Sequence, residues 1–334
     1  MKITICGGGS LGHVCAGVFS LRNDVEVSIL TNRPERWSRN IVVTDINGKE
    51  FVADIKVATS RPEEVIPTAD MVFICQPGFL IGNTLRQIKP WLHDDCVVGS
   101  IVSSTGFFFQ AHDILPENVK LFGFQRTPFI ARVVEYGSSA QLLGYKREVT
   151  IATENIERKE AFRTLVEKLF ITPTVLCATH YEVSLTNSNP ILHTGRLYSM
   201  WHDWSGEIYN RNTLFYKEWT DAASQLLIDM DAEFISLLDK LPVTQGAIPR
   251  LLDYYESTDA SSLTRKISSI PAFQTIESPM KRVEEGWVPD FESRYFTEDF
   301  PFGLQYIKNI AVQNGVPTPT IDKVLEWGLS KIEQ

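Results

Sequence analysis

The sequence predicts an α/β protein in which a doubly wound parallel sheet is followed by a mainly α-helical domain. Two observations predict the sheet: short apolar runs alternate with amphipathic helical patterns, and a glycine-rich turn joins the first run to the first helix. One observation predicts the helical domain, since the apolar period changes from 2 to 3.6 beyond about residue 178.

The first half contains the signals of parallel βαβ units. Between its second and third strands, two apolar runs flank Asn47-Gly48, which predicts an antiparallel hairpin inserted into the sheet. The predicted strands are 2–6, 25–30, 71–75, 97–102 and 119–124, and the predicted helices are 10–22, 78–91 and 155–170.

The second half consists of helical patterns separated by proline-containing loops. The predicted helices are 181–205, 213–240, 246–256, 302–314 and 320–332, and the loops are 242–249, 270–291 and 316–319. With 334 residues the chain is long for one core. We therefore predict two domains, residues 1–177 for dinucleotide binding and 178–334 for substrate binding and catalysis.

Composition excludes several classes of protein. The net charge of -9 disfavours nucleic acids and anionic membranes as partners, because both are bound by clustered Lys and Arg. Five cysteines without a C-x-x-C spacing indicate isolated thiols, so we predict neither a disulfide framework nor a metal site. We expect a cytoplasmic enzyme that acts on small molecules, and the helical domain is a candidate homodimer surface.

The pattern G-x-G-x-x-G follows the first predicted strand directly and opens the first helix. Its glycines are Gly7, Gly9 and Gly12, and Ser10 and Leu11 stand between the last two. Such glycines allow a tight turn and a close backbone approach to a pyrophosphate, which the helix N-terminus stabilises. This context predicts a Rossmann-type dinucleotide site.

The end of the second strand predicts which dinucleotide binds. NAD sites usually carry an acid there for the ribose hydroxyls. Here Asn32 occupies that region, and Arg33 and Arg36 follow it. Guanidinium groups suit a 2′-phosphate, so NADP is the predicted cofactor and NAD the alternative. Gln76 and Pro77 follow the third parallel strand, where we expect the nicotinamide half of the cofactor.

One histidine lies at a predicted helix start in the second half. Asn187 or Asn189 is a candidate N-cap, Pro190 fits the first turn, and His193 then falls within that turn. A helix N-terminus disfavours imidazolium, which suits a general acid and base near neutral pH. The pattern alone fits a structural histidine equally well.

A second polar cluster, Arg294 and Asp299, precedes another predicted helix. An arginine can hold a carboxylate through two hydrogen bonds, and an aspartate can orient a histidine. These residue types complement His193, and we expect His193 and Asp299 to meet within hydrogen-bond reach. A surface ion pair would leave the same pattern.

Four segments together resemble the opine dehydrogenases of the octopine and nopaline dehydrogenase type. They are the GGGSLG loop, FGFQRTPFIAR at 122–132, NPILHTG at 189–195, and RYFTEDFPFGL through GVPTPTID at 294–322. The resemblance implies a Rossmann domain joined to a helical domain. It also implies NADH- or NADPH-dependent reduction of the imine formed between an amino acid and a 2-oxo acid.

The resemblance further implies roles for His193 and for the two residues of the second cluster. His193 would be the catalytic acid and base, Asp299 its partner, and Arg294 a ligand for a substrate carboxylate. Asn189 and Arg196 complete the predicted substrate-binding residues.

Two other functions compete with this prediction. Ketopantoate reductases and glycerol-phosphate dehydrogenases share the two-domain plan but use a lysine at the start of the second domain, and no lysine occurs here from residue 169 to 216. A non-catalytic NADPH sensor would not need a histidine and a carboxylate that converge.

Overall fold

The computed structural model describes residues 1–332, and the last two residues of the predicted second domain lie outside that range. The chain divides into two compact units, Met1–Ser184 and Leu185–Gln334. Within the described residues, no helix is both long and apolar enough to cross a membrane.

The first unit is built on one sheet. Its strands are β1 (Lys2–Cys6), β2 (Glu26–Leu30), β3 (Asn40–Asp45), β4 (Glu50–Thr59), β5 (Met71–Ile74), β6 (Val97–Ser100), β7 (Lys120–Phe124), β8 (Phe129–Glu135), β9 (Ser139–Tyr145), β10 (Val149–Glu154) and β11 (Thr174–Leu176). Its helices are α1 (Ser10–Phe19), α2 (Gly78–Ile88), α3 (Phe107–Ile114), α4 (Lys159–Phe170) and α5 (Tyr181–Ser184).

The strand order is β11-β10-β7-β6-β5-β1-β2-β4-β3-β9-β8. All strands in the run from β7 to β4 are parallel. The strand order reverses at β1, from which the chain adds strands in both directions, as in a doubly wound sheet. Helices α1 and α4 pack on one apolar face, and α2 and α3 pack on the other. The predicted fold class is confirmed, because burial on both faces is what the continuous apolar strands require.

The predicted hairpin is also confirmed. Strands β3 and β4 pair antiparallel, and Gly48 has φ +77°, a conformation that favours glycine. Sequence analysis did not predict β8 and β9, which extend the sheet from β3 and add a second hairpin. Because they continue the sheet, this half carries a larger antiparallel extension than expected.

The second unit is mainly helical, as predicted. Its helices are α6 (Thr194–Trp201), α7 (Asp221–Leu238), α8 (Leu251–Tyr254), α9 (Ala260–Ser269), α10 (Arg294–Thr297), α11 (Gln305–Gln313) and α12 (Pro319–Ile332). Two π-helical segments, Ser188–His193 and Phe300–Leu304, run directly into α6 and α11. A short hairpin, β12 (Met280–Val283) and β13 (Gly286–Pro289), lies where a loop was predicted.

The single long helix predicted at 181–205 is wrong. The helical conformation stops after Ser184 and resumes in the π segment that begins at Ser188. Pro190 lacks the N–H that an α-helical ladder needs, and the Thr194 hydroxyl donates to the Pro190 carbonyl oxygen. A period of 3.6 could not reveal this break, because the apolar positions continue on both sides of it.

Candidate active site

The glycine-rich turn has the geometry that its sequence predicts. Gly7 has φ +126°, and a Cβ there would lie 2.6 Å from the Cys75 carbonyl oxygen. A Cβ at Gly12 would collide with the Gly7 carbonyl oxygen, so α1 packs against the turn only because residue 12 is glycine. Space around the Gly9 Cα is open, since a Cβ there would meet no heavy atom within 4 Å. The turn therefore leaves its backbone accessible next to the first turn of α1, whose amides have no partner within the helix.

A cavity of about 260 Å³ opens beside this turn, at the carboxyl ends of β1, β2 and β5. This edge is where doubly wound sheets bind dinucleotides. Six of the predicted cofactor residues line it: Gly7, Gly9, Asn32, Arg33, Gln76 and Pro77. Sequence analysis missed other lining residues, among them Gly8, Thr31, Ser60, Asn83, Thr84 and Tyr136.

Three of the four remaining predicted cofactor residues, Ser10, Leu11 and Gly12, shape the turn without lining the cavity. The Ser10 hydroxyl accepts a hydrogen bond from the Val133 amide at 3.1 Å, which ties the turn to β8. Leu11 packs against the core, and Gly12 is buried. These three residues shape the turn, and their contribution to a bound ligand would be through backbone position.

Tyr136 connects the unpredicted β8–β9 hairpin to the cavity. Its hydroxyl lies 3.2 Å from the Thr31 hydroxyl, and the Arg36 guanidinium lies 4.8 Å from the centre of its ring. Arg36 is therefore held over an aromatic side chain that lines the cavity, while Arg33 lines it directly. No spacing in the sequence links residue 136 to residue 31, because a sheet extension brings them together.

The other end of the cavity is held by a side-chain hydrogen bond. The Thr84 hydroxyl of α2 donates to Gln76 Oε1 at 2.7 Å, which fixes the Gln76 carboxamide beside Pro77.

Next to Gly12, His13 is buried and has a structural role. The Gly137 amide donates to its Nε2 at 2.8 Å, so its Nδ1 carries the proton donated to the Gly9 carbonyl oxygen. Burial lowers the pKa of His13, which keeps it neutral.

In the second unit, His193 and Asp299 meet as expected. His193 Nδ1 lies 2.8 Å from Asp299 Oδ2, although 106 residues separate them in the chain. The other imidazole nitrogen, Nε2, lies 2.9 Å from the Tyr216 hydroxyl. The side chains of His193 and Asp299 are 13% and 16% exposed, so water screens their interaction only partly.

These contacts determine the tautomer of a neutral His193. Burial, followed by the nearby Tyr295, Tyr255 and Asp299 side chains, raises the pKa of Tyr216 far above its ordinary value. Tyr216 is therefore a hydroxyl that donates to Nε2, and Nδ1 carries the proton that His193 donates to Asp299. The arrangement leaves a basic nitrogen on the side away from the aspartate.

The two π segments bring the pair together. His193 ends the first segment and Asp299 immediately precedes the second. A Cβ at Gly303 would lie 2.9 Å from Pro190 Cγ, so the segments approach closely because residue 303 is glycine. Single-turn π segments occur often at functional sites, where they redirect one side chain.

Two buried aromatic residues, one before Asp299 in the sequence and one directly after it, pack against each other. Phe296 and Phe300 are fully buried and stack with their ring centres 5.4 Å apart. The Phe300 ring lies directly against Gly328 of α12, where a Cβ would collide with it. This packing fixes the backbone on which Asp299 stands.

Asn187, one of the two predicted N-cap residues, does occupy the N-cap position of the segment, but its side chain does not cap the helix start. The Asn187 amide donates to Asp231 Oδ1 at 2.7 Å and to the Pro249 carbonyl oxygen at 2.8 Å, and it makes no hydrogen bond to the helix start. Asn189 is exposed, and its Oδ1 accepts from the Ser188 hydroxyl. His193 thus follows a full π turn, and its tautomer is determined by Asp299 and Tyr216 rather than by a helix terminus.

The two predicted arginines have different surroundings. The Arg294 side chain is 78% exposed and lies 3.7 Å from Glu298, too long for a hydrogen bond, so its guanidinium is available to an anion. Arg196 is buried, donates to the Phe215 and Glu218 carbonyl oxygens, and stacks on Trp219. These contacts give Arg196 a structural role in holding the segment that carries Tyr216.

Comparisons with known proteins match both units. A family model described as NAD/NADP octopine/nopaline dehydrogenase, alpha-helical domain, matches residues 176–331, and one for ketopantoate reductase PanE/ApbA matches residues 3–129. The tauropine dehydrogenase of Arabella iricolor is 31% identical over 97% of this chain and 90% of its own length.

Solved structures of octopine dehydrogenase are similar throughout. A structure with NADH and L-arginine has a TM-score of 0.88 at 26% identity and covers all of this chain and 90% of its own. One with NADH and pyruvate has a TM-score of 0.83 at 25% identity and covers 99% of this chain and 89% of its own.

A dinucleotide-binding sheet joined to a helical unit that carries a histidine–aspartate pair defines an NAD(P)-dependent oxidoreductase. The chain belongs to the opine dehydrogenase family. Its reaction is the reductive condensation of an amino acid with a 2-oxo acid.

Proposed function

We propose that His193 is the proton-transfer residue of this condensation, that Asp299 orients it, and that NADPH is the preferred reductant. The observation that carries the proposal is the 2.8 Å contact between His193 Nδ1 and Asp299 Oδ2. An aspartate on Nδ1 leaves Nε2 as the nitrogen that exchanges a proton with substrate and stabilises the imidazolium that results.

The proton steps follow from this arrangement. His193 Nε2 exchanges its hydrogen bond from the Tyr216 hydroxyl for one from the substrate ammonium and then takes a proton from it, which frees the amine to attack the carbonyl carbon of the 2-oxo acid. One proton moves from the nitrogen of the adduct to the former carbonyl oxygen, and the imidazolium then protonates the resulting hydroxyl, so that water leaves and the protonated imine forms. NADPH, when bound, supplies the hydride that reduces the imine carbon. Arg294, with its exposed guanidinium, is proposed to hold a substrate carboxylate.

The substrates proposed for this chain are an α-amino acid and a short 2-oxo acid. L-Arginine and pyruvate are the ligands in the octopine dehydrogenase structures, which supports the two classes. The test is a matrix of amino acids against pyruvate, glyoxylate and 2-oxoglutarate, followed by NADPH loss and product mass. A product with the mass of the reduced imine supports the proposal. A hydroxy acid formed without the amine would refute it.

Replacing His193 tests its role. For His193→Ala we expect kcat to fall by about 10²- to 10⁴-fold with the affinity for NADPH unchanged, because the cofactor cavity lies in the other unit. His202→Ala is the matched control, since His202 lies in the same unit, places its Nδ1 2.9 Å from the Tyr198 carbonyl oxygen and stacks on the Tyr198 ring. Unaltered turnover in His193→Ala would remove it from the mechanism.

The preference for NADPH is supported by the charge at the end of β2. Among the described residues that line the cavity none carries a carboxylate, Arg33 lines it, and Arg36 stacks on Tyr136. We expect Arg36→Ala to weaken NADPH at least about tenfold and NADH much less, since only NADPH has a 2′-phosphate. Arg39→Ala is the control, because Arg39 is exposed and paired with Asp54. Equal binding of NADH and NADPH by the wild type at moderate salt would overturn the preference.

A further inference from the structure

Three side chains of the first unit form a compact group outside the cofactor cavity. We call His112, Glu154 and His180 the histidine–glutamate cluster. His112 Nε2 lies 2.7 Å from Glu154 Oε2, and His180 Nδ1 lies 2.6 Å from Glu154 Oε1. One ligand atom from each residue lies within 4.8 Å of the other two. No part of the proposed reaction uses these residues.

The cluster is held on three different elements. His112 lies in the last turn of α3, Glu154 is the final residue of β10, and His180 immediately precedes α5. The His180 ring packs at a tilt against Tyr181, with ring centres 4.1 Å apart, and against Phe108 at 5.4 Å, which restricts its rotation. Supporting contacts of this kind keep ligand atoms directed at one point.

Exposure differs across the cluster in a way that suits a bound ion. The His112, Glu154 and His180 side chains are 43%, 24% and 14% exposed. One side is therefore open to solvent, and the opposite side is closed by aromatic rings. An ion can enter from the open side and keep a water molecule there.

We propose that the histidine–glutamate cluster binds one divalent transition-metal ion, with Zn²⁺ as the best fit. Two imidazole nitrogens and one carboxylate oxygen form a ligand set that zinc accepts, and water would complete a tetrahedron. Ligand atoms around tetrahedral zinc are about 3.4 Å apart, as its bond lengths of roughly 2.0–2.1 Å require. The present contacts of 2.7 and 2.6 Å are shorter than that, so the imidazoles would have to move back from the carboxylate to admit the ion.

Binding of an ion requires the cluster to lose protons, because both imidazole rings now face the Glu154 carboxylate at hydrogen-bond distance. When the ion binds, it replaces the protons that now lie between the imidazole nitrogens and the carboxylate, and those protons move to solvent or to the other ring nitrogens.

A metal ion here would tie together parts of the chain that are distant in sequence. His180 lies four residues before Ser184, the last residue of the first unit. The ion would anchor the segment leading to that boundary onto α3 and β10. The inference does not depend on the proposed function, because no catalytic residue belongs to the cluster.

The test is titration of the metal-free full chain with Zn²⁺ at neutral pH, combined with anomalous diffraction from zinc-soaked crystals. We expect one equivalent bound at the cluster, and an association constant at least about tenfold lower in His112→Ala and in Glu154→Gln. Hydrogen exchange of residues 178–184 should slow on addition of zinc in the wild type but not in the two cluster variants. Because His112 is exposed, its variant is expected to fold, and circular dichroism checks this.

His93→Ala is the matched control, since His93 belongs to the same unit, lies outside the cluster, and places its Nε2 3.1 Å from the Ala69 carbonyl oxygen. It should bind zinc as the wild type does. Zinc located elsewhere, or equal affinity in all variants, would overturn the proposal. So would a loss of stability in the cluster variants that is the same with zinc as with a chelator, because a hydrogen-bond network alone explains that result.

Discussion

The cofactor cavity and the His193 site are built in opposite ways. In the first unit, the cradle consists mainly of backbone from one short turn, and its glycines matter for the side chains that they lack. In the second unit, the site consists of side chains from His193, Tyr216 and Asp299, which packing brings together from distant parts of the chain. A site made of backbone can be predicted from a local sequence pattern, whereas a site made of side chains depends on tertiary contacts.

Among the changes that keep His193, the largest expected effect comes from altering its partner Asp299. Asp299→Asn keeps the shape but removes the charge that stabilises a protonated His193. We expect kcat to fall by about 10²- to 10³-fold and NADPH affinity to stay unchanged. Steady-state kinetics with fluorescence titration of the cofactor measure both, and Asp253→Asn, an exposed site of the same unit, is the control. Loss of cofactor affinity in Asp299→Asn would contradict the separation of the two sites.

The next effect tests whether the backbone cradle depends on missing side chains. Gly9→Ala should fold normally, since Gly9 has φ -84° and open space around its Cα. Its methyl group should nonetheless weaken NADPH at least about tenfold by blocking the pyrophosphate. Gly12→Ala, by contrast, should lower the free energy of unfolding by roughly 1–3 kcal/mol, because its Cβ meets the Gly7 carbonyl. If Gly9→Ala bound NADPH normally, close backbone approach would not explain the pattern.

A smaller effect should follow from disturbing the support of Asp299. Gly328→Ala places a methyl group in the Phe300 ring, and we expect a loss of roughly 1–3 kcal/mol of stability. A severalfold lower kcat should accompany it, because Phe300 adjoins Asp299. Thermal unfolding and kinetics measure the two effects, with Ser330→Ala on the exposed side of the same helix as control. A stability loss with wild-type kcat would show that Asp299 does not need this support.

The smallest effect is expected at Tyr216. Tyr216→Phe removes one hydrogen bond to His193 Nε2, worth about 0.5–1.5 kcal/mol, so kcat should fall by no more than about tenfold. Because the pKa of Tyr216 is raised by burial, wild type and variant should share the alkaline limb of the pH profile of kcat. A lost alkaline limb in the variant would make Tyr216 itself the titrating group. Tyr254→Phe, at an exposed position, is the control.

The features that the sequence predicted are those that depend on residues close together in the chain. The sequence predicted the parallel strands, the glycine turn and the hairpin at Asn47-Gly48, because each depends on neighbouring residues. It did not predict Tyr136 at the cofactor cavity, since residue 136 arrives there through sheet pairing between β3, β8 and β9. The contact between His193 and Asp299 was expected from their chemistry, but Tyr216 carried no signal, because it lies in a loop without a motif.

The π segments of the second unit make the geometry of the His193 site sensitive to single-residue deletions. A π turn accommodates one residue more than an α turn, and each residue advances an α-helix by about 100°. Deleting a single residue between Ser188 and His193 would let the segment relax to α-helix and rotate the imidazole away from Asp299. Surface loops generally tolerate such deletions, whereas in this segment the spacing of residues is as much a part of the active site as their identity.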